Sequence, residues 1–239
     1  MTNSAMDHGS NDGSDERGHP IRIRYTGELE QARLQVEVMA LRVGDALAQT
    51  REVLDTGDRE LAQDVVDGDD EIDAMLVSIT EQCYDLIRRE GPVASDLRFL
   101  VSAIRILEEL ERIGDLALRV VKQAGEHDRL AAEPDLFATL RTMADVAVTV
   151  YRSAVDAWAA QDLGLARTLA ARQQVMDDHY STLLRHILSL TGPDAVQVAV
   201  ASVLIGRSLE RIADHTVIVG ERLRYLLTGD PAYLAAEVR

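Results

Sequence analysis

Two blocks of this chain repeat each other. Leu110-Glu111-Arg112-Ile113-Gly114-Asp115 recurs as Leu209-Glu210-Arg211-Ile212-Ala213-Asp214, and Gly91-Pro92 recurs as Gly192-Pro193. Asp58, Leu61 and Ala62 recur as Asp162, Leu165 and Ala166, 104 residues later. The offset drifts along the chain, as loop insertions make it do. A duplicated chain folds as two copies of one unit, so a single element order has to serve both halves.

That element order is helical. Leu29, Val36 and Val43 recur in sevens, as do Ala32, Met39 and Ala46, which predicts an amphipathic helix from about Thr26 to Gly57. A second helix opens at the N-cap residue Asp58 and runs to about Arg89, where Gly91-Pro92 breaks it. A third runs from about Val93 to Gln123. The pattern then restarts with the stripe Leu140, Met143, Ala147, Val150, Ala154 and Ala157. Asp162 opens a fifth helix, which ends before Gly192-Pro193, and a sixth runs to about Leu227, closed by Gly229. Aromatic residues are only 4% of the chain, which disfavours sheets. The expected fold is all-α: two tandem three-helix bundles related by duplication, over residues 23–127 and 128–239. Residues 1–22, rich in Asp, Ser, Gly and Asn, read as a disordered acidic tail.

The formal net charge is −16. Nucleic acid repels such a surface unless a local basic patch exists, and the 25 Lys and Arg are scattered among acids in the sequence, so nucleic acid is not an expected partner. The charge favours metal cations or basic faces of other proteins. The single cysteine, Cys83, forms no internal disulfide, residues 1–20 lack the apolar core of a secretory signal, and no run reaches the ~18 apolar residues of a membrane span. These features predict a cytoplasmic protein, able to sit against the inner face of a membrane through partners.

Glu111 and Asp115 stand four residues apart on one helix face, where like charges repel by a few tenths of a kcal/mol. On a helical wheel Ile104, Leu107 and Leu118 bracket Glu111, and Val203, Gly206 and Val217 bracket Glu210 at matching offsets. Acids on an apolar-flanked face require a cation or hydrogen-bond donor. Chance supplies other pairs at this spacing, such as Glu81 with Asp85, but only this one recurs with Leu before it and Arg-Ile within it. Asp69 and Asp73 form a second pair that a neighbouring helix could bring toward Glu111 and Asp115. Converging carboxylates suit Mg, Mn, Fe or Zn. The corresponding positions in the second half are Gln173 and Asp177; Gln is a neutral, weaker ligand, so the second site is expected to hold metal less tightly or not at all. The alternative reading is a salt-bridge network with Arg112, Arg211 or arginines of other helices.

The run Pro92-Val93-Ala94-Ser95-Asp96-Leu97-Arg98, followed by Leu110 to Ala117, resembles the PhoU family of accessory regulators of phosphate-specific transport. So does Leu209 to His215 leading to Tyr225 and Gly229, and the resemblance covers about residues 25–230. It implies two three-helix bundles and Glu/Asp-x-x-x-Asp motifs that bind multinuclear metal clusters. Asp69, Asp73, Glu111, Asp115, Asp177, Glu210 and Asp214 fit that pattern; Gln173 departs from it. It also implies a non-enzymatic adaptor between the ATPase subunit of a phosphate ABC transporter and a sensor histidine kinase, repressing the phosphate-starvation response when phosphate is plentiful. A homodimer is one of the oligomeric states left open.

Two other functions compete. One is a metal-free helical scaffold whose acids sit in ordinary salt bridges. The other is a carboxylate-bridged di-iron oxidase, which takes Glu-x-x-His pairs from facing helices; the one such spacing here, Glu16 with His19, lies in the tail. No Gly-rich phosphate loop, Ser/His/Asp set or CxxC zinc signature is present. Cys83 reads as a buried core thiol, Trp158 as core or rim packing, and His215 as a helix-surface residue.

Overall fold

The computed structural model describes the backbone of residues 18–238 and the side chains of residues 24–235. Six long helices carry the fold: α1 (Gly18–Thr56), α2 (Arg59–Glu90), α3 (Ser95–Val121), α5 (Pro134–Ala160), α6 (Leu163–Ser189) and α7 (Ala195–Thr228). A 3₁₀ turn (Ala124–Glu126) and the short helix α4 (His127–Ala131) connect the halves, and a 3₁₀ segment (Pro231–Val238) follows α7. The anticipated boundary at residues 127/128 falls within that connector. Of the expected acidic tail, residues 1–17 lie outside the described residues, and residues 18–22 belong to α1, which starts earlier than its periodicity indicates.

Local chemistry sets the helix ends. Asp58 accepts hydrogen bonds from the N–H groups of Glu60 (2.9 Å) and Leu61 (3.1 Å), and Asp162 does the same for Gly164 (2.6 Å) and Leu165 (3.1 Å). These bonds satisfy donors that a helix start leaves open. Gly57 ends α1 at φ 70° and Gly229 ends α7 at φ 75°, left-handed conformations that glycine adopts without strain.

The duplication survives in the packing, but the core does not divide with it. Val36, Met39 and Val43 of α1, Ile72 and Cys83 of α2, and Leu107 and Ile113 of α3 belong to one apolar cluster with Met143 and Ala147 of α5, Met176 and Leu183 of α6, and Leu209 and Ile212 of α7. A small satellite cluster joins Val53, Ala62, Val65 and Val121. Cys83 is fully buried and Trp158 is 3% exposed; both pack in the core as the sequence indicated. The halves meet along two helix pairs. At one, α1 meets α5: the buried Tyr151 hydroxyl donates to the Ala40 carbonyl at 2.6 Å, and Gly44 leaves room for its ring, since a Cβ there would lie 3.3 Å from Tyr151 Cε1. At the other, α3 and α7 run antiparallel side by side, flanked by α2 and α6.

Candidate functional site

The acidic pairs lie in two grooves, one on each side of the α3–α7 pair. In the first, α2 carries Asp69 and Asp73, and α3 carries Glu111 and Asp115. Gly114 faces α2, where a Cβ would lie 3.4 Å from Ile72 Cδ1 and 3.7 Å from Asp69 Oδ1. Both are ordinary van der Waals distances, so the Asp69 carboxylate lies close against α3 at this position. Burial pushes the Asp69 carboxyl above the ordinary range; the charges of Asp73 and Asp115 push it further, and Lys122 draws it partly back. Burial likewise raises Glu111, followed by Asp115 and Asp73, with Arg112 opposing. The two pairs thus face each other closely enough to interact across the α2–α3 groove.

None of the four has a cationic partner within salt-bridge distance among the described residues. Arg112, which a salt-bridge network would assign to Glu111, donates instead to Glu109 Oε1 at 3.1 Å. A carboxylate set that is partly desolvated and unpaired has the donor chemistry of a hard-cation site. The set is open, however. Among the described residues no three His, Cys, Asp or Glu side chains converge closely enough to hold a metal ion as they stand.

The second groove, between α6 and α7, is partnered internally. Gln173 Nε2 donates to Asp214 Oδ1 at 2.7 Å. Glu210 forms an ion pair with Arg207 on its own helix. Asp177 remains, raised by burial, then by Asp214 and Asp178. Gln173 therefore does more than weaken a ligand set, because its amide occupies an oxygen of Asp214.

Two features escape the sequence. The first is His215, which is 7% exposed and not on the helix surface. Its Nδ1 meets Glu109 Oε2 at 2.6 Å and its Nε2 faces Arg211 Nη2 at 3.4 Å, so a chain of polar contacts Arg112–Glu109–His215–Arg211 crosses the α3–α7 interface. A signal existed: Ser208, His215 and Arg222 recur in sevens on α7 and all are buried. The second corrects the reading of the basic residues as scattered: Arg119, Lys122, Arg207 and Arg211 line one cavity between α3 and α7.

The comparisons agree with this architecture. The PhoU domain family pattern matches residues 36–124 and again residues 140–223. The chain is 31% identical to the phosphate-specific transport system accessory protein PhoU homologue of Pseudomonas aeruginosa, over 90% of each chain. It is 28% identical to the accessory protein PhoU of Escherichia coli strain K12, over 87% of each. The crystal structure of PhoU from Pseudomonas aeruginosa superposes with a TM-score of 0.81 at 31% identity, covering 86% of this chain and all of that one. That of the phosphate transport system regulatory protein PhoU from Streptococcus pneumoniae has the same fold, with a TM-score of 0.76 at 23% identity, covering 86% of this chain and 98% of the other. With the duplicated domain, the six-helix architecture and the Glu-x-x-x-Asp motif all in place, this chain belongs to the PhoU family.

Proposed function

We propose that the protein is a non-enzymatic accessory regulator of phosphate uptake and phosphate-starvation signalling, an adaptor between the ATPase subunit of a phosphate ABC transporter and a sensor histidine kinase. Family membership supports the phosphate-transport role, since the relatives are named for a phosphate-specific transport system. The adaptor role and the negative direction of regulation are carried over from the family resemblance. Among the described residues no helix is long and apolar enough to cross a membrane.

The observation that carries the site reading is the unpartnered carboxylate set Asp69, Asp73, Glu111 and Asp115. In this reading those residues hold divalent or trivalent cations (Fe, Zn, Mn or Mg), and Asp177, Glu210 and Asp214 hold them less tightly because Gln173 already engages Asp214 and Arg207 already engages Glu210. A bound cation supplies positive charge that can bridge to an acidic partner surface or to an anion. The protein's part is to keep the four carboxylates free of internal cations and held between two packed helices.

The test pairs metal analysis with partner capture. Wild-type protein purified without chelator is expected to carry metal and to co-purify from phosphate-replete cells with the transporter ATPase or the kinase. Glu111→Ala/Asp115→Ala is expected to lose metal while keeping its helical circular dichroism. Metal-free wild type, or metal retained undiminished in the double variant, would contradict the site reading; absence of both partners would contradict the adaptor role.

A further inference from the structure

The cavity between α3 and α7 is not explained by the acidic grooves on either side of it. Its volume is about 350 Å³. Arg119 and Lys122 come from the C-terminal end of α3, Arg207 and Arg211 from the middle of α7, and no carboxylate lines it. In a chain of net charge −16, four cations around one concavity are a local inversion of the surface, and their mutual repulsion favours an anion among them.

Partners inside the protein leave that charge largely uncompensated. Arg207 is paired with Glu210 along its own helix. Arg211 faces His215 Nε2, a neutral acceptor or a further cation. Lys122 is near enough to Asp69 to lower its pKa. Among the described residues neither Arg119 nor Lys122 has a carboxylate within salt-bridge distance.

The duplication supplies an internal control. At the offset of 99 that relates Glu111 to Glu210, Arg207 and Ser208 correspond to Glu108 and Glu109, while Lys122 corresponds to Glu221. On the equivalent flank of the α3–α7 pair, Glu108 neutralises Arg105 at 2.8 Å, and Glu109 neutralises Arg112 at 3.1 Å and meets His215. One flank is closed by acid–base pairs. The other has the same helices, with its acids replaced by Arg and Ser and a cavity in their place.

We infer that this cavity binds a compact small-molecule anion carrying two or more adjacent phosphate groups. Arginine forks donate bidentately to phosphate oxygens, and with Arg207 already paired to Glu210 a single phosphate dianion would still leave about one of the other three cations uncompensated. The volume lies at the small end of the ~300–1,000 Å³ range of small-molecule pockets and is short for a docked helix about 10 Å across. Leu116, Val203 and Leu204 give it an apolar wall that lowers the local dielectric around the cations. The inference is independent of the carboxylate site, and its test uses metal-free protein so that no metal–phosphate bridge can contribute.

Isothermal titration calorimetry on the chelator-treated full-length chain would use tripolyphosphate, ATP and inorganic phosphate. Tripolyphosphate and ATP are expected to bind at least about ten-fold more tightly than inorganic phosphate, and to weaken as salt rises. Equal affinities for the two would assign the phosphate chain alone as determinant, and tighter ATP binding would assign a nucleotide. Arg119→Gln/Lys122→Gln, at two exposed positions, is expected to lower affinity at least about ten-fold; Arg105→Gln, on the closed flank, is expected to leave it unchanged. The inference is overturned if wild type gives no binding heat, if the double variant binds as well as wild type, or if a single-stranded oligonucleotide binds more tightly than tripolyphosphate at the same residues.

Discussion

Cys83 illustrates how much a single buried side chain reports about its surroundings. Among the described residues its thiol has no hydrogen-bond partner, and burial pushes its pKa from 9.0 to about 11. The native thiol then keeps its proton between pH 9 and pH 11, where the unfolded thiol loses it, so the native state binds more protons in that window. Stability from this residue is full below pH 9 and falls as pH rises, by on the order of 2–3 kcal/mol across the window. Urea unfolding between pH 8.5 and 11 is expected to show a steeper decline for wild type than for Cys83→Ala; parallel curves would contradict it. The sequence disclosed Cys83 fully, because an apolar helix face fixes the environment of everything on it. It did not disclose His215. A helical wheel says that Asp214 and His215 point apart, but not that the opposite helix carries Glu109 at the matching height.

Among the elements, α3 and α7 hold the two halves together and set the site. The buried Glu109–His215 contact at 2.6 Å spans them, whereas the positions equivalent by duplication, Ser208 and Leu116, line the basic cavity. Removing one partner of a buried charged contact strands the other. Glu109→Ser and His215→Leu are each expected to cost about 2–3 kcal/mol in urea unfolding. The double variant, which copies the Ser–Leu pairing of the other flank, is expected to cost at least about 1 kcal/mol less than the sum. Additive losses would mean that the contact contributes no coupling. Helix ends were the most legible elements: Asp58, Gly57, Asp162 and Gly229 act where capping chemistry puts them. The 3₁₀ turn and α4 were not legible, since residues 124–131 are too short for a periodicity to register. Glu111 and Asp115 stood out in the sequence because their motif occurs twice; Asp69 and Asp73 had no such signal, since Gln173 breaks the repeat of that pair. The engagement of the second set by Gln173 and Arg207 was not legible, because it depends on how two helices settle against each other.

For the whole molecule, duplication in sequence does not translate into independence in folding. One apolar cluster draws on α1, α2, α3, α5, α6 and α7, and cutting the chain at the connector would expose the apolar faces of α1 and α3 together with those of α5 and α7. Thermal unfolding is therefore expected to be a single cooperative transition with matching calorimetric and van't Hoff enthalpies, and residues 18–123 expressed alone are expected to lack a cooperative transition. Two resolved transitions would show that each half carries its own core. Charge is distributed at this scale as well: two acidic grooves flank a basic cavity on a single helix pair, an arrangement that net charge alone conceals.

The fully buried tyrosine of α5, with its hydroxyl on the α1 carbonyl and its ring over Gly44, has a mechanical consequence. It acts as a bolt through the α1–α5 seam, so the halves are fastened along a second helix pair besides α3–α7 and are expected to resist swinging about either one. A body fastened this way is expected not to report occupancy by opening and closing. If the proposed cations bind, the expected change is in the electrical relief of the surface rather than in its outline, and a docking partner would meet that relief.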